Sequence, residues 1–485
     1  MKGWICINKG KVLTGFLVIV ICINIYFLML LPHGISMKGQ AASVIHVKVT
    51  LLIREFENHE NTLENTVKSA IRKVDQIIVV ADKLPYPPVK IPQDPSVSLV
   101  VLSQFPEHKK SNKNLSEMIM GDYILVVPDG TRIDSGSLRK ILKSAKEDAL
   151  TAIPLQGYKS FCSHMRFITK HWTLKFTESG RTCNYVSGKH AILVPKVMFV
   201  KILPPERPIN DYVYVMSHLH GWTVKYQPDS HFSFVGQSLF KDSHSAWKHK
   251  TQEFQRQKHL FKQMGIKLVQ KEDGSEQWFG CEKNTARCFG TVVNNMPEYI
   301  YAGRWTPPCC LKHLRTTSRH AFKTLESQGV RYWLEGGSLL GAARHADIIP
   351  WDYDLDIGIH KSDLIKSPHL LAAQEKGSYE DTDGFVWEKA KEGDFYRVQF
   401  SQSNHLHIDI FPFYSKNGIM TKDTWFKTHK QDREFPEHFL QPLIKVPFIG
   451  IDAYAPNNVR EFLEFKFGKG VIENPRYPDN SNSTG

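Results

Sequence analysis

The sequence predicts a protein of mixed α/β and α+β class, with an N-terminal membrane anchor and two globular domains. Three observations lead to this prediction: a long apolar segment near the N-terminus, strands that alternate with helices after it, and a later segment of regularly spaced aspartates. A chain of 485 residues is long enough for two or three domains. With 41% hydrophobic and 23% charged residues, its composition excludes a disordered or fibrous protein.

The anchor is predicted at residues 12–31, which are almost wholly apolar and long enough to cross a bilayer core of about 30 Å. Lysines in residues 1–11 keep that short tail in the cytosol, so the rest of the chain would be lumenal. A cleaved signal peptide is the alternative, but its apolar core would span only about 7–15 residues. We therefore expect a single-pass type II protein with a tether at residues 32–43.

The net charge of +13 predicts anionic partners, and a lumenal location argues against nucleic acid as that partner. A membrane surface and phosphate-bearing substrates then remain, and the charge alone does not choose between them. Asn114 and Asn482 stand in Asn-x-Ser/Thr triplets, so we expect N-glycosylation at both.

Residues 44–270 are predicted to form an α/β domain. Residues 61–74 place apolar side chains on one helical face, and strand patterns lie around this helix at residues 44–53, 76–81, 97–102 and 123–127. Strands that alternate with helices usually form a mostly parallel sheet. Basic residues over an apolar stripe predict a solvated helix at residues 241–263, near the end of the domain.

Asp129 is the one candidate metal ligand of this first domain. It follows a predicted strand, at the sheet edge where α/β proteins bind ligands. A metal-binding pair would need a second acid two residues later, where the chain has Thr131. One carboxylate rarely holds a hard divalent ion alone, and Asp-Gly is common in turns. We therefore interpret the first domain as non-catalytic.

The strongest chemical signal is the set Asp352, Asp354 and Asp356, which alternates with Tyr353 and Leu355. In a strand this spacing would place three carboxylates on one face, where they repel each other. The apolar residues around them argue against a solvent-exposed acidic edge. We therefore expect the aspartates to bind a hard divalent cation, Mg²⁺ or Mn²⁺.

Gly336, Gly337 and Ser338 precede the aspartates, between a predicted strand at 332–334 and a predicted helix at 339–344. Glycines at a helix N-terminus let the backbone approach a phosphate group. Together with the aspartates they predict a nucleotide or phosphate site. Further basic residues are candidates either for phosphate contacts or for structural roles: Arg344, His345, Arg397, His405 and His407.

A further acid is expected on a neighbouring strand. Residues 405–411 alternate polar and apolar side chains, as a half-buried strand does, and residues 403–404 could turn the chain back from a strand at 395–400. Asp409 would then face the first acids, either as a metal ligand or as a base.

Glycine–serine, Asp-x-Asp and a later strand acid together resemble nucleotidyltransferases of the polymerase-beta type. LEGGSLLGAARH followed by DIIPWDYDLDIGI is similar to the LicD family of phosphocholine transferases. More narrowly, the chain is similar to the fukutin-related members of that family, through WFGC, RWTPPCCL, GFVWEKA, NHLHID and FPEHFLQPL. The resemblance covers nearly everything after the anchor and is densest from Trp278 onward.

The resemblance implies a glycosyltransferase-like stem domain at 44–270 and a nucleotidyltransferase-fold catalytic domain at 271–485. It implies transfer of ribitol 5-phosphate from CDP-ribitol to a ribitol phosphate on the O-mannosyl glycan of alpha-dystroglycan, at the Golgi membrane. By motif position, Asp354 and Asp356 match the family's Asp-x-Asp, Asp409 matches the later acid, and Asp352 matches an extra upstream aspartate. We also expect the protein to form homo-oligomers, and the amphipathic helices of the stem are the basis for this expectation.

The cysteines predict cross-links or metal. In an oxidising lumen Cys162 and Cys183 are expected to form a disulfide. Four others follow a C-x6-C-x20-C-C spacing, which departs from the usual C-x2–4-C of zinc sites and so favours two disulfides over a tetrahedral zinc site: Cys281, Cys288, Cys309 and Cys310. The resemblance implies the second, a structural Zn²⁺ in a loop at 281–310, with Arg287 presented toward an acceptor phosphate.

Two other functions compete with this interpretation. A related CDP-alcohol transferase of the phosphocholine type would use the same metal core, because the sequence does not reveal the donor pocket. A non-catalytic Golgi scaffold would not need the acids, and the presence of Asp354, Asp356 and Asp409 argues against it.

Overall fold

The computed structural model describes residues 47–58, 60–102, 115–179, 183–204, 206–235, 240, 242–290, 292–293, 296–426 and 429–477. The predicted tail, anchor and tether, and the sequons at Asn114 and Asn482, lie outside these residues. Within them, none of the helices has both the length and the apolar character that a membrane span requires. The described residues from Lys48 onward belong to one compact unit.

The first half of this unit alternates strands and helices. In chain order its elements are β1 (Val49–Glu55), α1 (Leu63–Ala70), β2 (Gln76–Ala81), β3 (Val97–Val101), β4 (Tyr123–Pro128), β5 (Thr131–Arg132), α2 (Ser135–Ser144), β6 (Ala149–Pro154), β7 (Phe161–Ile168), β8 (Thr173–Glu178), β9 (Tyr185–Ser187), β10 (His190–Pro195), α3 (Lys196–Ile202), α4 (Ile209–Leu219), β11 (Thr223–Tyr226), β12 (Ser233–Phe234), α5 (Ser243–Met264), β13 (Leu268–Gln270) and β14 (Glu276–Trp278).

Its main sheet has seven strands in the order β11-β6-β10-β4-β1-β2-β3. β1 pairs in parallel with β2 and β4, and β2 pairs in parallel with β3. The mostly parallel sheet was therefore correctly predicted, but β10 is antiparallel to both of its neighbours. Strand β2 is buried along its whole length because apolar residues pack on both faces of this sheet.

A second, five-stranded sheet has the order β14-β13-β8-β7-β9. Within it the predicted disulfide joins Cys162, on β7, to Cys183, which lies two residues before β9. The predicted basic helix is α5, which buries Leu260 and Phe261 on one side. Exposed Trp247 and Phe254 show that its apolar stripe is only partly covered.

The second half of the unit has mixed strand directions. Its elements are β15 (Val292–Val293), β16 (Met296–Pro297), α6 (Glu298–Tyr301), α7 (Pro308–Ser327), β17 (Tyr332–Leu334), α8 (Gly336–His345), β18 (Asp356–His360), α9 (Pro368–Lys376), β19 (Ser378–Glu380), β20 (Val386–Lys389), β21 (Tyr396–Gln399), β22 (His407–Lys416), β23 (Ile419–Thr421), β24 (Phe435–Pro436), β25 (Ile444–Phe448), β26 (Ile451–Ala455) and α10 (Val459–Phe467).

Six of these strands follow the order β17-β18-β22-β21-β20-β19, and β23 and β24 extend the sheet from β22. β18 and β22 are parallel, whereas β17 and β21 run antiparallel to them. One hydrophobic cluster, drawn from residues between Phe289 and Leu463, forms the core of this half. The two clusters of the first half end at Phe279. The domain ranges 44–270 and 271–485 stay predictions.

Candidate active site

The four aspartates predicted to bind metal meet where the parallel strands β18 and β22 begin. Asp356 is the first residue of β18, and its register partner on β22 is Asp409. Residues opposite each other in neighbouring strands project from the same face. The structure therefore places the later acid beside the Asp-x-Asp motif, as the sequence predicts.

The prediction that all three clustered aspartates share one strand is wrong. Asp352 and Asp354 lie in the loop before β18, and only Asp356 belongs to the strand. The loop has one backbone bond and one bond to a side chain of its own: Asp352 N donates to Ile349 O at 2.9 Å, and Tyr353 N donates to the Asp352 carboxylate at 3.1 Å. These local turns replace a strand ladder at Asp352, yet its side chain still turns toward the other acids.

The carboxylates approach in pairs. Asp352 and Asp354 are close enough to share one proton in a hydrogen bond, and Asp356 lies in register with Asp409. Among the described residues, no three of these acids bring one oxygen each within 4.8 Å of one another. Carboxylate oxygens are the donor type that Mg²⁺ and Mn²⁺ prefer, but one ion could take three or more of these acids only if their side chains moved closer together.

Burial and mutual repulsion shift the protonation of these acids. Burial raises the pKa of Asp352 to about 6, and the charge of Asp356 adds to this effect. Burial also raises the pKa of Asp354 well above its ordinary value, with Asp352 and Asp409 contributing. The pKa of Asp356 is raised by burial and by Asp354 and Asp409, and Lys422 opposes the change. Without a cation these carboxyl groups resist ionisation, so a bound divalent cation would stabilise their charged form.

The glycines lie directly against these acids. Helix α8 begins at Gly336 and not at residue 339 as predicted, so Gly336 and Gly337 lie in its first turn. A Cβ atom on Gly337 would lie 2.8 Å from an oxygen of Asp352, and one on Gly336 would lie 3.5 Å from an oxygen of Asp356. Ser338 Oγ accepts a hydrogen bond from Asp356 N at 2.8 Å. The motif therefore packs the helix N-terminus, which favours anions, against the carboxylates.

The two arginines predicted to contact phosphate differ in their surroundings. Arg397 Nε donates to Asp409 Oδ1 at 3.0 Å, so Arg397 lies at the acid cluster. Arg344 instead donates to the backbone carbonyls of Val471 and Ile472 and so ties α8 to the C-terminal segment. A phosphate contact by either arginine stays a prediction. His407 approaches Asp409 at 3.8 Å, and His405 Nδ1 donates to Gln399 Oε1 at 2.8 Å.

Sequence reasoning missed a layer of buried charge next to the acids. Glu335, beside Gly336, pairs with Lys466 at 2.8 Å, and the Lys466 side chain is 1% exposed. Lys422 pairs with Asp432 at 2.8 Å and lies 4.0 Å above the Phe411 ring. Both lysines lie outside the predicted site motifs and resemble ordinary surface residues in sequence. Only their burial distinguishes them.

Three of the four cysteines predicted to bind zinc bring their sulfurs together, and only Cys281 and Cys288 precede a helix, because Cys309 and Cys310 belong to the first turn of α7. The sulfurs of Cys281, Cys288 and Cys309 lie within 4.8 Å of one another. The structure pairs Cys281 with Cys309 and Cys288 with Cys310, with Cα atoms 6.0 and 6.1 Å apart. The two pairs are those that disulfides would need, and a tetrahedral zinc site on all four cysteines stays a prediction.

Arg287 belongs to this cysteine loop and reaches toward the acids through two aromatic rings. Its guanidinium lies 4.6 Å from the centre of the Phe289 ring, and it donates to Gly290 O at 3.0 Å. Phe289 packs edge-on against Tyr353, with ring centres 5.7 Å apart. Tyr353 stands between Asp352 and Asp354 in the sequence. The cysteine loop is therefore a neighbour of the acid loop.

Comparison with known proteins agrees with this geometry. Residues 329–458 match the family model of the LicD/FKTN/FKRP nucleotidyltransferase domain, and residues 36–272 match that of the fukutin-related protein stem domain. The chain is 44% identical over 458 residues to ribitol 5-phosphate transferase FKRP of Mus musculus, and 43% identical to that of Homo sapiens. Each match covers 92% of both chains.

A more distant relative shares only part of the chain. Ribitol-5-phosphate transferase FKTN of Homo sapiens is 31% identical over 150 residues, which are 31% of this chain and 31% of that protein. The full-length similarity is thus to the fukutin-related proteins. The protein therefore belongs to the fukutin-related family of enzymes, which joins a family-specific stem domain to a LicD/FKTN/FKRP nucleotidyltransferase domain.

Proposed function

We propose that this protein transfers ribitol 5-phosphate from CDP-ribitol to a ribitol phosphate on the O-mannosyl glycan of alpha-dystroglycan, with release of CMP. One observation carries the proposal: the acid cluster of Asp352, Asp354, Asp356 and Asp409 lies against the glycine turn of α8. The full-length relatives are named as ribitol 5-phosphate transferases, which supports ribitol phosphate as the transferred group.

Mg²⁺ or Mn²⁺, when held by the four aspartates, would neutralise charge on the phosphoryl group and on the leaving CMP. Gly336 and Gly337 keep the space beside the acids free of side chains, so that a pyrophosphate can approach the helix N-terminus. The acceptor hydroxyl attacks the phosphorus in line. Its proton passes to Asp409 or to water, and Arg397 fixes the orientation of Asp409.

The cysteine loop supports the acceptor side of the site in this proposal. A structural Zn²⁺ on Cys281, Cys288, Cys309 and Cys310 would leave no open coordination position and would fix the loop shape. Arg287, packed on Phe289 next to the acid loop, is then placed to bind the acceptor's phosphate. Arginine suits this role because its planar donors match phosphate oxygens.

We further propose that the protein resides in the Golgi membrane through residues 12–31, with the acid cluster lumenal. A disulfide between Cys162 and Cys183 is consistent with an oxidising compartment. Self-association through the stem is part of the same proposal, and nucleic acid is not an expected partner.

The test is a turnover assay that measures CMP release with CDP-ribitol, CDP-choline and CDP-glycerol as donors and a ribitol-phosphate glycopeptide as acceptor. We expect turnover with CDP-ribitol that requires the acceptor and Mg²⁺ or Mn²⁺. Asp354→Asn should abolish it, whereas Asp452→Asn, at an exposed aspartate on β26, should not. Preference for another donor would refute ribitol phosphate as the group, and unchanged turnover in Asp354→Asn would refute the metal core.

A further inference from the structure

The stem contacts the second half of the protein through a short turn between β7 and β8. Residues Thr169–His171 form one 3-10 turn, and Trp172 follows in a left-handed conformation. Trp172 Nε1 donates to Trp305 O at 2.8 Å, and Trp305 N donates to Lys170 O at 2.9 Å. The turn and Trp305 therefore exchange two hydrogen bonds across the interface.

Side-chain stacking reinforces these bonds. The rings of His171 and Trp305 lie 4.4 Å apart, and Lys170 Nζ lies 4.7 Å from the centre of the Trp305 ring. Trp305 in turn contacts Trp351, with ring centres 6.0 Å apart. Trp351 immediately precedes Asp352, so the stem turn reaches the residue before the first candidate metal ligand.

Thr306 continues the connection to the aspartate itself. It is 2% exposed, and its backbone N–H donates to Pro350 O at 3.0 Å. Its hydroxyl donates to Asp352 O at 2.6 Å and lies 2.9 Å from the Tyr299 hydroxyl. Because the Thr306 proton is used on Asp352 O, Tyr299 must donate to Thr306. Two bonds thus fix the loop on both sides of Trp351.

We infer that Thr306 is a positioning residue for the metal-binding loop, and that the Lys170–Trp172 turn of the stem acts through it. Asp352 and Asp354 precede β18, so they lack the strand ladder that holds Asp356. Within the loop Asp352 N is bonded to Ile349 O, and a second set of contacts to this backbone runs from the stem turn through Trp305 and Thr306 to Asp352 O. The stem is then part of the catalytic unit. This inference rests on the proposed metal-dependent function.

The test separates the hydroxyl from the shape of the side chain. Thr306→Val keeps the shape and removes the donor, whereas Thr306→Ser keeps the donor. Thr317→Val is the matched control, because Thr317 is equally buried and its hydroxyl donates only to His313 O, at 2.9 Å within α7. Trp172→Phe removes the donor on the stem side, and Trp222→Phe is its control at a stem tryptophan that stacks on His220.

The readouts, measured on the full chain, are Mn²⁺ binding by calorimetry without nucleotide, the Mg²⁺ dependence of CMP release, and the unfolding temperature. Loss of one buried hydrogen bond should change a binding constant by a factor of about three to ten. We expect Thr306→Val to weaken Mn²⁺ binding by about that factor and to raise the Mg²⁺ concentration for half-maximal turnover. Trp172→Phe should shift both in the same direction. Thr306→Ser and both controls should match the wild type.

Wild-type Mn²⁺ affinity in folded Thr306→Val, or equal weakening in Thr317→Val, would overturn the role of Thr306. Wild-type behaviour of Trp172→Phe would overturn the role of the stem, and this variant also decides the matter if Thr306→Val does not fold. If the wild type binds Mn²⁺ but does not use CDP-ribitol, the proposed function fails while the binding measurements still test the inference. Absence of Mn²⁺ binding in the wild type would overturn both.

Discussion

Asp352→Asn should stabilise the metal-free protein at neutral pH while it abolishes transfer. Burial, aided by the Asp356 charge, raises the pKa of Asp352 from 3.8 to about 6. A folded-state pKa above the unfolded value means that ionisation opposes folding. The wild type therefore loses stability as pH rises from about 4 through about 6. The substitution removes this charge, and Asn can still accept the hydrogen bond from Tyr353 N.

The magnitude follows from the difference between the two pKa values. It is about two pH units, and each unit corresponds to about 1.4 kcal/mol, which gives about 3 kcal/mol above pH 7. Part of this free energy is the repulsion between Asp352 and Asp356, so the expected stabilisation is a property of the pair and not of Asp352 by itself. At pH 5 only about half of the penalty has developed, because Asp352 is still largely protonated in the folded protein.

The assay is thermal or urea unfolding of wild type and variant at pH 5 and pH 7.5, each in chelator and in excess Mg²⁺. In chelator we expect the variant to be more stable at pH 7.5, with a smaller difference at pH 5. Mg²⁺ should stabilise the wild type more than the variant, because binding to the native state adds to its stability. CMP release should be lost in the variant at either pH.

Asp381→Asn is the control, and we expect it to change the stability in the opposite direction. Burial alone would raise the pKa of Asp381, but hydrogen bonds from Trp387, Phe385 N and His320 outweigh burial and lower it. Its substitution should therefore destabilise the protein at pH 7.5. If Asp352→Asn also destabilises the metal-free protein at pH 7.5, or if its effect does not depend on pH, the reasoning from buried repulsion is refuted.

Three other predictions concern the surroundings of the acids. Lys466→Met should destabilise the fold by about 3 kcal/mol in urea unfolding, because it leaves the buried Glu335 carboxylate without its cation and with the Trp333 N–H as its remaining side-chain donor. Arg460→Met, at an exposed ion pair, should have no measurable effect, and equal effects of the two substitutions would show that burial of the pair is unimportant. Gly337→Ala should lower turnover about tenfold or more with the fold retained, because its Cβ would lie 2.8 Å from an Asp352 oxygen; normal turnover would mean that the Asp352 carboxylate can move freely. Metal analysis should find one zinc ion per chain, which Cys309→Ser should lose. Removal of the zinc should expose four thiols that react with thiol reagents. If the four cysteines resist these reagents until they are reduced, they form two disulfides instead.

Local patterns in the sequence were sufficient for several elements in the first half of the chain. The apolar run QIIVVA is β2 at the predicted residues, because a strand covered on both faces needs an unbroken apolar sequence. The tight turn that Asp129-Gly130 predicts is also present. There the Asp129 carboxylate accepts from Thr62 N at 2.6 Å, Thr66 Oγ1 at 2.7 Å and Gly130 N at 2.8 Å. These bonds occupy Asp129 at the start of α1, in agreement with a structural role.

By itself, the sequence determined which residues could do the chemistry. Asp-x-Asp, the later acid at Asp409 and the glycine turn are identifiable because their residue types and short-range spacing are what metal and phosphate binding require. The tertiary structure decided what surrounds them. It placed Asp352 and Asp354 in a loop, buried Lys466 against Glu335, and joined the stem turn to Asp352 through Thr306. Those contacts join residues that are distant along the chain, and no local periodicity records them because they form only when the core packs.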